Sequence, residues 1–164
     1  MEKKEISKSQ NISTTPELNK LNVFAGKWNI EGRQYESVFG PTAKITTVET
    51  CEWLPGGLFL IHRLTGKVGE QKIACIEVIG YDEKSKSYPT YSFYNDGKTN
   101  EWQSREANGT WILTGNSQAA GKPIKVRSTT LFSIDNNSMT VKWEKSNDGL
   151  EWEIFWDINA TKVS

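Results

Sequence analysis

A histidine with acidic residues on either side, at Glu49, His62 and Glu77, is the arrangement in this 164-residue chain most capable of chemistry. His62 is the only histidine present, and it sits inside the apolar run "CEWLPGGLFLIHRLTG" at 51–66. An imidazole between two carboxylates can hold a proton, pass one on, or anchor a polar group in an apolar setting. Which of these applies depends on whether the three side chains share a face. That is a question of strand register.

The surroundings of the three residues read as strands. From Lys27 onward, stretches of β-formers recur between Gly, Asn, Asp and Pro separators, with ten strands expected near 27–35, 43–54, 58–66, 71–82, 88–95, 98–106, 109–116, 123–134, 138–146 and 150–162. "LPGG", "NDGK", "ANGT", "DNNS" and "NDGL" have the composition of hairpin turns. Tight hairpins make sequence neighbours into sheet neighbours, and closure removes the two exposed edges of so long a meander. The expected fold is all-β, an up-and-down antiparallel barrel of about ten strands. Its bore is wider than the eight-stranded kind that side chains can fill, so a cavity is expected.

Ahead of the strands, "TTPELNKLNVFAG" carries helix punctuation: Thr15 as N-cap, Pro16 at the first position, Glu17 in the first turn and Gly26 as the stop. Leu18, Leu21 and Phe24 share a face, so this short helix should pack across one end of the barrel. Residues 1–13 are polar and read as a mobile tail, with 14–164 as a single barrel domain.

Alternation along each strand assigns faces. With a turn centred on Gly69 and Glu70, His62 lies opposite Glu77; with "LPGG" as a four-residue loop, it lies opposite Glu49. The three then form a row across adjacent strands, on one face with Cys51, Trp53, Leu58, Leu60, Leu64, Cys75, Ile79 and Tyr81. A turn at "NDGK" pairs Phe93 with Asn100 and Tyr91 with Trp102, and the "NG" turn pairs Ser104 with Leu113 and Glu106 with Trp111. A loop at 146–149 sets Lys145 opposite Leu150, Trp143 opposite Trp152, Val141 opposite Ile154 and Met139 opposite Trp156. The candidate ligand-binding residues are therefore Glu49, His62, Glu77, Tyr91, Phe93, Asn100, Trp102, Trp111, Trp143 and Trp152. The aromatic members have two readings, plain core packing or a wall for a flat or apolar guest.

"PELNKLNVFAGKWNIEG", "WLPGGLFLIHRLTGKVG", "EVIGYDEKSKSY", "YNDG" and "MTVKWEKSNDGLEWEIFWDINATKV" together resemble the bacterial family catalogued as domain of unknown function 1579, from Pro16 to Val163. "FAGKW" at 24–28 is also similar to the opening of lipocalins, fatty-acid-binding proteins and nitrobindins. The resemblance implies a calycin-like barrel and no established activity. Nitrobindins hold haem through a histidine from another part of the barrel, where this sequence has none, so no cofactor is expected.

Composition narrows the partners. Lys+Arg and Asp+Glu are 20 each, which provides no excess positive field for nucleic acid or a membrane surface. No apolar run reaches the roughly 18 residues of a transmembrane helix, and the start has no signal-peptide h-region; the chain reads as cytoplasmic. Two cysteines, Cys51 and Cys75, read as buried free thiols. One histidine is a poor basis for a metal site, and none is expected. Phosphate loops, nucleophile elbows and basic patches interleaved with aromatics are missing from the sequence.

Three readings of the Glu49–His62–Glu77 row remain open. It can receive the polar head of a small hydrophobic or amphipathic molecule, serve as the acid and base of a cofactor-independent lyase or isomerase, or stabilise the barrel as a polar network. The sequence leaves the oligomeric state undefined.

Overall fold

A computed structural model describes residues 15–164; the expected tail at 1–13 lies outside them. Ten strands follow a short helix: α1 (Pro16–Lys20) runs into a 3-10 turn (Leu21–Val23), then β1 (Gly26–Gln34), β2 (Ala43–Trp53), β3 (Leu60–Val68), β4 (Gln71–Ile79), β5 (Tyr88–Tyr94), β6 (Thr99–Ala107), β7 (Thr110–Ala119), β8 (Lys122–Phe132), β9 (Ser138–Ser146) and β10 (Glu153–Lys162). Each strand pairs antiparallel with the next, and β10 returns to β1 through Trp28↔Lys162 to Gln34↔Trp156, closing the barrel. Closure leaves no unpaired edge among these strands.

The helix closes one end. Thr15 accepts a hydrogen bond from the Leu18 N–H through Oγ1 (3.3 Å), which fixes the start of the helix. Leu18 and Leu21 are buried against Cys51, Leu60, Tyr88 and Trp111. So short a helix gains its stability from this packing and from side-chain ties to the strands. The Tyr88 hydroxyl donates to the Glu17 carbonyl (2.9 Å), Trp53 Nε1 to Asn22 Oδ1 (2.8 Å), and Lys20 pairs with Glu106 (2.7 Å).

Three hairpins depart from the expected register, each for a local reason. At β5–β6 the loop has three residues: the Gly97 N–H donates to the Tyr94 carbonyl (3.0 Å), the Tyr94 N–H to the Lys98 carbonyl (2.9 Å), and Gly97 takes φ +85°. A type I turn closed by a left-handed glycine is the favoured three-residue hairpin, and an odd loop shifts the pairing by one. Thr90, not Tyr91, faces Trp102, and Phe93 faces Thr99 rather than Asn100. One residue of slip exchanges the faces of β5. Tyr91 and Phe93 stand outside, 45% and 53% exposed, while Thr90 and Ser92 turn inward and are buried.

At β2–β3 the Leu54 N–H bonds the Phe59 carbonyl (2.8 Å), so "PGGL" forms the loop tip rather than "LPGG". The register moves by two, placing His62 opposite Cys51 and Glu49 opposite Leu64. An even shift preserves the faces, but Leu58, expected inside, is in the loop and 45% exposed.

The last hairpin differs most. Trp143 faces Trp156, not Trp152; Val141 faces Ile158, Met139 faces Ala160, and Lys145 faces Glu153. Asp148 organises the longer loop: its Oδ1 accepts from Ser146 Oγ (3.0 Å) and from the N–H groups of Leu150 (2.8 Å) and Glu151 (3.2 Å). A bulge between Ile154 and Trp156 then brings both Phe155 and Trp156 to the lumen and leaves Ile154 43% exposed. Trp152 lies outside the bore, its ring 4.1 Å from the Arg127 guanidinium, which also pairs with Glu144 (2.7 Å). The β3–β4 and β6–β7 turns keep the expected pairs, His62↔Glu77, Ser104↔Leu113 and Glu106↔Trp111.

Candidate functional site: a charged row on the floor of an apolar lumen

The barrel encloses a cavity of about 780 Å³ that opens at the end away from the helix. Leu21 and Phe24 from the helical segment reach it at the closed end, and its walls include Ile30, Leu64, Leu113, Val126, Val141 and Ile158. The mouth is framed by Phe39–Thr42, by Gly69–Lys72, by Asn95, Asp96 and Lys98 and by Ser117 and Gln118. Phe39 leans on Phe155 at 4.6 Å between ring centres, and the Gln34 side chain links the Pro41 carbonyl (2.8 Å) to Trp156 Nε1 (2.8 Å), tethering the 35–42 segment across part of the opening.

Near the closed end, three adjacent strands bring Glu49, His62 and Glu77 together. His62 Nδ1 lies 2.7 Å from Glu77 Oε2, its directly paired neighbour. Nε2 lies 3.1 Å from Glu49 Oε2, reached on the diagonal because of the two-residue shift. The two contacts are unequal. Nδ1 makes a hydrogen bond, whereas Nε2, though 3.1 Å from Glu49, is buried with no hydrogen-bond partner among the described residues.

Beyond Glu77 the polar chain continues. Ser92 Oγ donates to Glu77 Oε1 (2.6 Å) and accepts from Trp102 Nε1 (2.9 Å), so a buried indole, a hydroxyl, a carboxylate and the imidazole run in series. Apart from His62 Nε2, each buried polar atom along this run has a partner, which offsets the cost of holding the Glu77 carboxylate in an apolar bore.

The charges follow from this geometry. Burial on its own pushes the His62 imidazole toward the neutral form, but the Glu49 charge and contacts with both carboxylates outweigh it, and its pKa is raised well above 6.5. Burial likewise raises Glu77, and the His62 bond and charge together with Ser92 more than reverse that, so Glu77 is lowered. Burial pushes the Cys51 thiol up to about 11 and Cys75 up to about 12, and the nearby carboxylates add to both. The geometry thus favours the imidazolium form of His62 and the carboxylate form of Glu77, beside thiols held in the neutral form.

Of the residues expected at the site, Glu49, His62, Glu77, Asn100, Trp102, Trp111 and Trp143 line the cavity. Tyr91, Phe93 and Trp152 do not, for the register reasons above. Ser92 joins the site from outside the expected residues, and Trp156, expected on the inward face opposite Met139, adds to the wall. The three-residue loop "NDG" at 95–97 is the signal that would have turned Ser92 inward. No group of three His, Cys, Asp or Glu side chains among the described residues has the arrangement of a metal site.

The fold and cavity define a closed ten-stranded antiparallel barrel with an accessible lumen. The chain belongs to the family described as protein of unknown function (DUF1579), which matches residues 13–162. The crystal structure of Rv2717c from M. tuberculosis is similar in fold, with a TM-score of 0.62 and 8% sequence identity over 93% of this chain and 100% of that one. No curated protein matches the sequence. Among the described residues no helix is long and apolar enough to cross a membrane.

Proposed function

We propose that the protein binds a small amphipathic molecule in the barrel lumen, with the apolar body against the tryptophan-lined wall and the polar head at Glu49, His62 and Glu77. The observation that carries this reading is the pairing of an open-mouthed cavity of about 780 Å³ with a charged group at its deep end. Ligand sites are concave, mostly apolar, and oriented by a few convergent polar groups, and their volumes fall within roughly 300–1,000 Å³. A purely structural network has no need of a mouth.

An acid–base enzyme on the same row is the weaker reading. A general base must be unprotonated at working pH, and the two neighbouring acidic groups favour the protonated form of His62. The Glu77 carboxylate is already engaged by both His62 and Ser92, which leaves Glu49 as the one candidate base for that reading.

Native mass spectrometry of freshly purified protein, before and after incubation with cell extract, tests the proposal. A retained small molecule, released unchanged on denaturation, is the expected result. Protein that stays bare after both treatments overturns it, and recovery of a chemically altered molecule favours the enzyme.

A further inference from the structure

Charge in the lumen is unevenly placed. Glu49, His62 and Glu77 hold two carboxylates against one imidazolium, which leaves one negative charge in excess at the closed end. That excess is local to Glu49. Glu77 is engaged through both oxygens, by His62 Nδ1 and by Ser92 Oγ, whereas Glu49 meets His62 Nε2 through Oε2 at 3.1 Å and no hydrogen bond among the described residues reaches its Oε1. The Glu49 side chain is 14% exposed, facing the cavity.

Positive side chains are remote. Among the described residues no arginine lines the cavity, and its lysines, Lys72 and Lys98, stand at the mouth. Lys98 is paired there with Asp96 at 2.7 Å. Lys72 is five residues along β4 from Glu77, about 16 Å of strand. A carboxylate head reaching the floor would therefore add a third negative charge with no cation to meet it. A cationic head would pair with Glu49 and bring the floor to neutrality, and a buried charge is tolerated only when so paired.

We infer that the lumen selects amphiphiles with a cationic head, an ammonium or amidinium group on an apolar body, seated on the Glu49 carboxylate at the closed end of the barrel. The inference rests on the lumen-binding reading and narrows it to one class of ligand.

Decylamine, decanol and decanoate share a chain and differ in the charge of the head. Each is titrated at neutral pH, below its micelle concentration, by calorimetry and by quenching of the cavity tryptophans. The expected order is decylamine tightest and decanoate weakest, with decylamine ahead of decanol by at least about tenfold. In Glu49→Gln the amine should fall to the level of the alcohol. Decanoate binding as tightly as decylamine overturns the inference, as does a Glu49→Gln protein that keeps the amine preference. Decanol binding on a par with decylamine overturns the head-group assignment while leaving lumen binding intact; failure of all three to bind overturns both. The ranking on the unaltered protein decides by itself if the variant fails to fold.

Discussion

His62 illustrates how one side chain can be costly and stabilising at once. Removing it leaves two carboxylates facing each other in a bore with little else to neutralise them, and breaking a buried pair by deleting one partner costs roughly 3–5 kcal/mol. His62→Gln should therefore unfold at lower denaturant concentration at pH 6.5. The pH dependence follows from the directions of the shifts. A raised histidine contributes stability that is fully present below its ordinary value of 6.5 and is lost as pH climbs through its higher folded value. A lowered Glu77 contributes above its ordinary value of 4.5, and that part is lost as pH falls through its folded value. The gap between wild type and variant should be widest toward the upper end of the window from 4.5 to 6.5 and shrink on both sides. On acidification the variant recovers further, because one carboxylate can relieve the repulsion by taking up a proton. Equilibrium unfolding at a series of pH values measures this, and a gap that is constant with pH would show that the row is not coupled through charge.

At the scale of elements, the site depends on how closely β2 and β3 approach. A Cβ added at Gly66 would lie 2.2 Å from the Thr46 carbonyl oxygen and 2.6 Å from the Thr47 Cα, both backbone atoms that cannot swing aside. Gly66→Ala should therefore force the two strands apart and cost about 1–3 kcal/mol, the range for overpacking a tight site. Because the same strand pair sets Glu49 beside His62, the titration of His62 followed by NMR should move toward 6.5 in this variant if it folds. Unchanged stability would show that the strands have room to spare. The legibility of the chain in its sequence also belongs to this scale. Turn composition and alternation located all ten strands, the helix cap and the closed order, since these follow from local chemistry. Register was readable only where a turn had a single plausible geometry: Gly69–Glu70 placed His62 against Glu77, and Asn108–Gly109 placed Ser104 against Leu113. It failed where side chains reshape the loop. Asp148 lengthens the last hairpin, Gly97 makes the β5–β6 turn odd, and the bulge at Phe155 has no counterpart in alternation. Glu49 still reached His62 because the error at β2–β3 was even, so its face survived. Tyr91 and Phe93 were lost because theirs was odd.

Over the whole molecule, closure is what protects the interior. Cys51 on β2 and Cys75 on β4 both face the lumen with β3 between them, and both are free and buried. Two strand spacings separate their backbones by about 9–10 Å, beyond the reach of a disulfide. Their thiols are pushed up to about 11 and about 12, so the reactive thiolate is scarce at pH 8. In a sheet with free edges a terminal strand can peel away and expose such a thiol while the rest stays folded. Here each strand is held on both sides, and opening the β2–β4 region requires breaking the ring. A bulky disulfide reagent at pH 8 should accordingly label neither cysteine of the native protein on the timescale of minutes and both after denaturation without reductant. Across a denaturant series, the native labelling rate should rise in step with the globally unfolded fraction measured by tryptophan fluorescence. Labelling of one cysteine well ahead of the other, at denaturant concentrations where the fluorescence is still native, would show that the barrel opens locally and that the ring does not act as one cooperative unit.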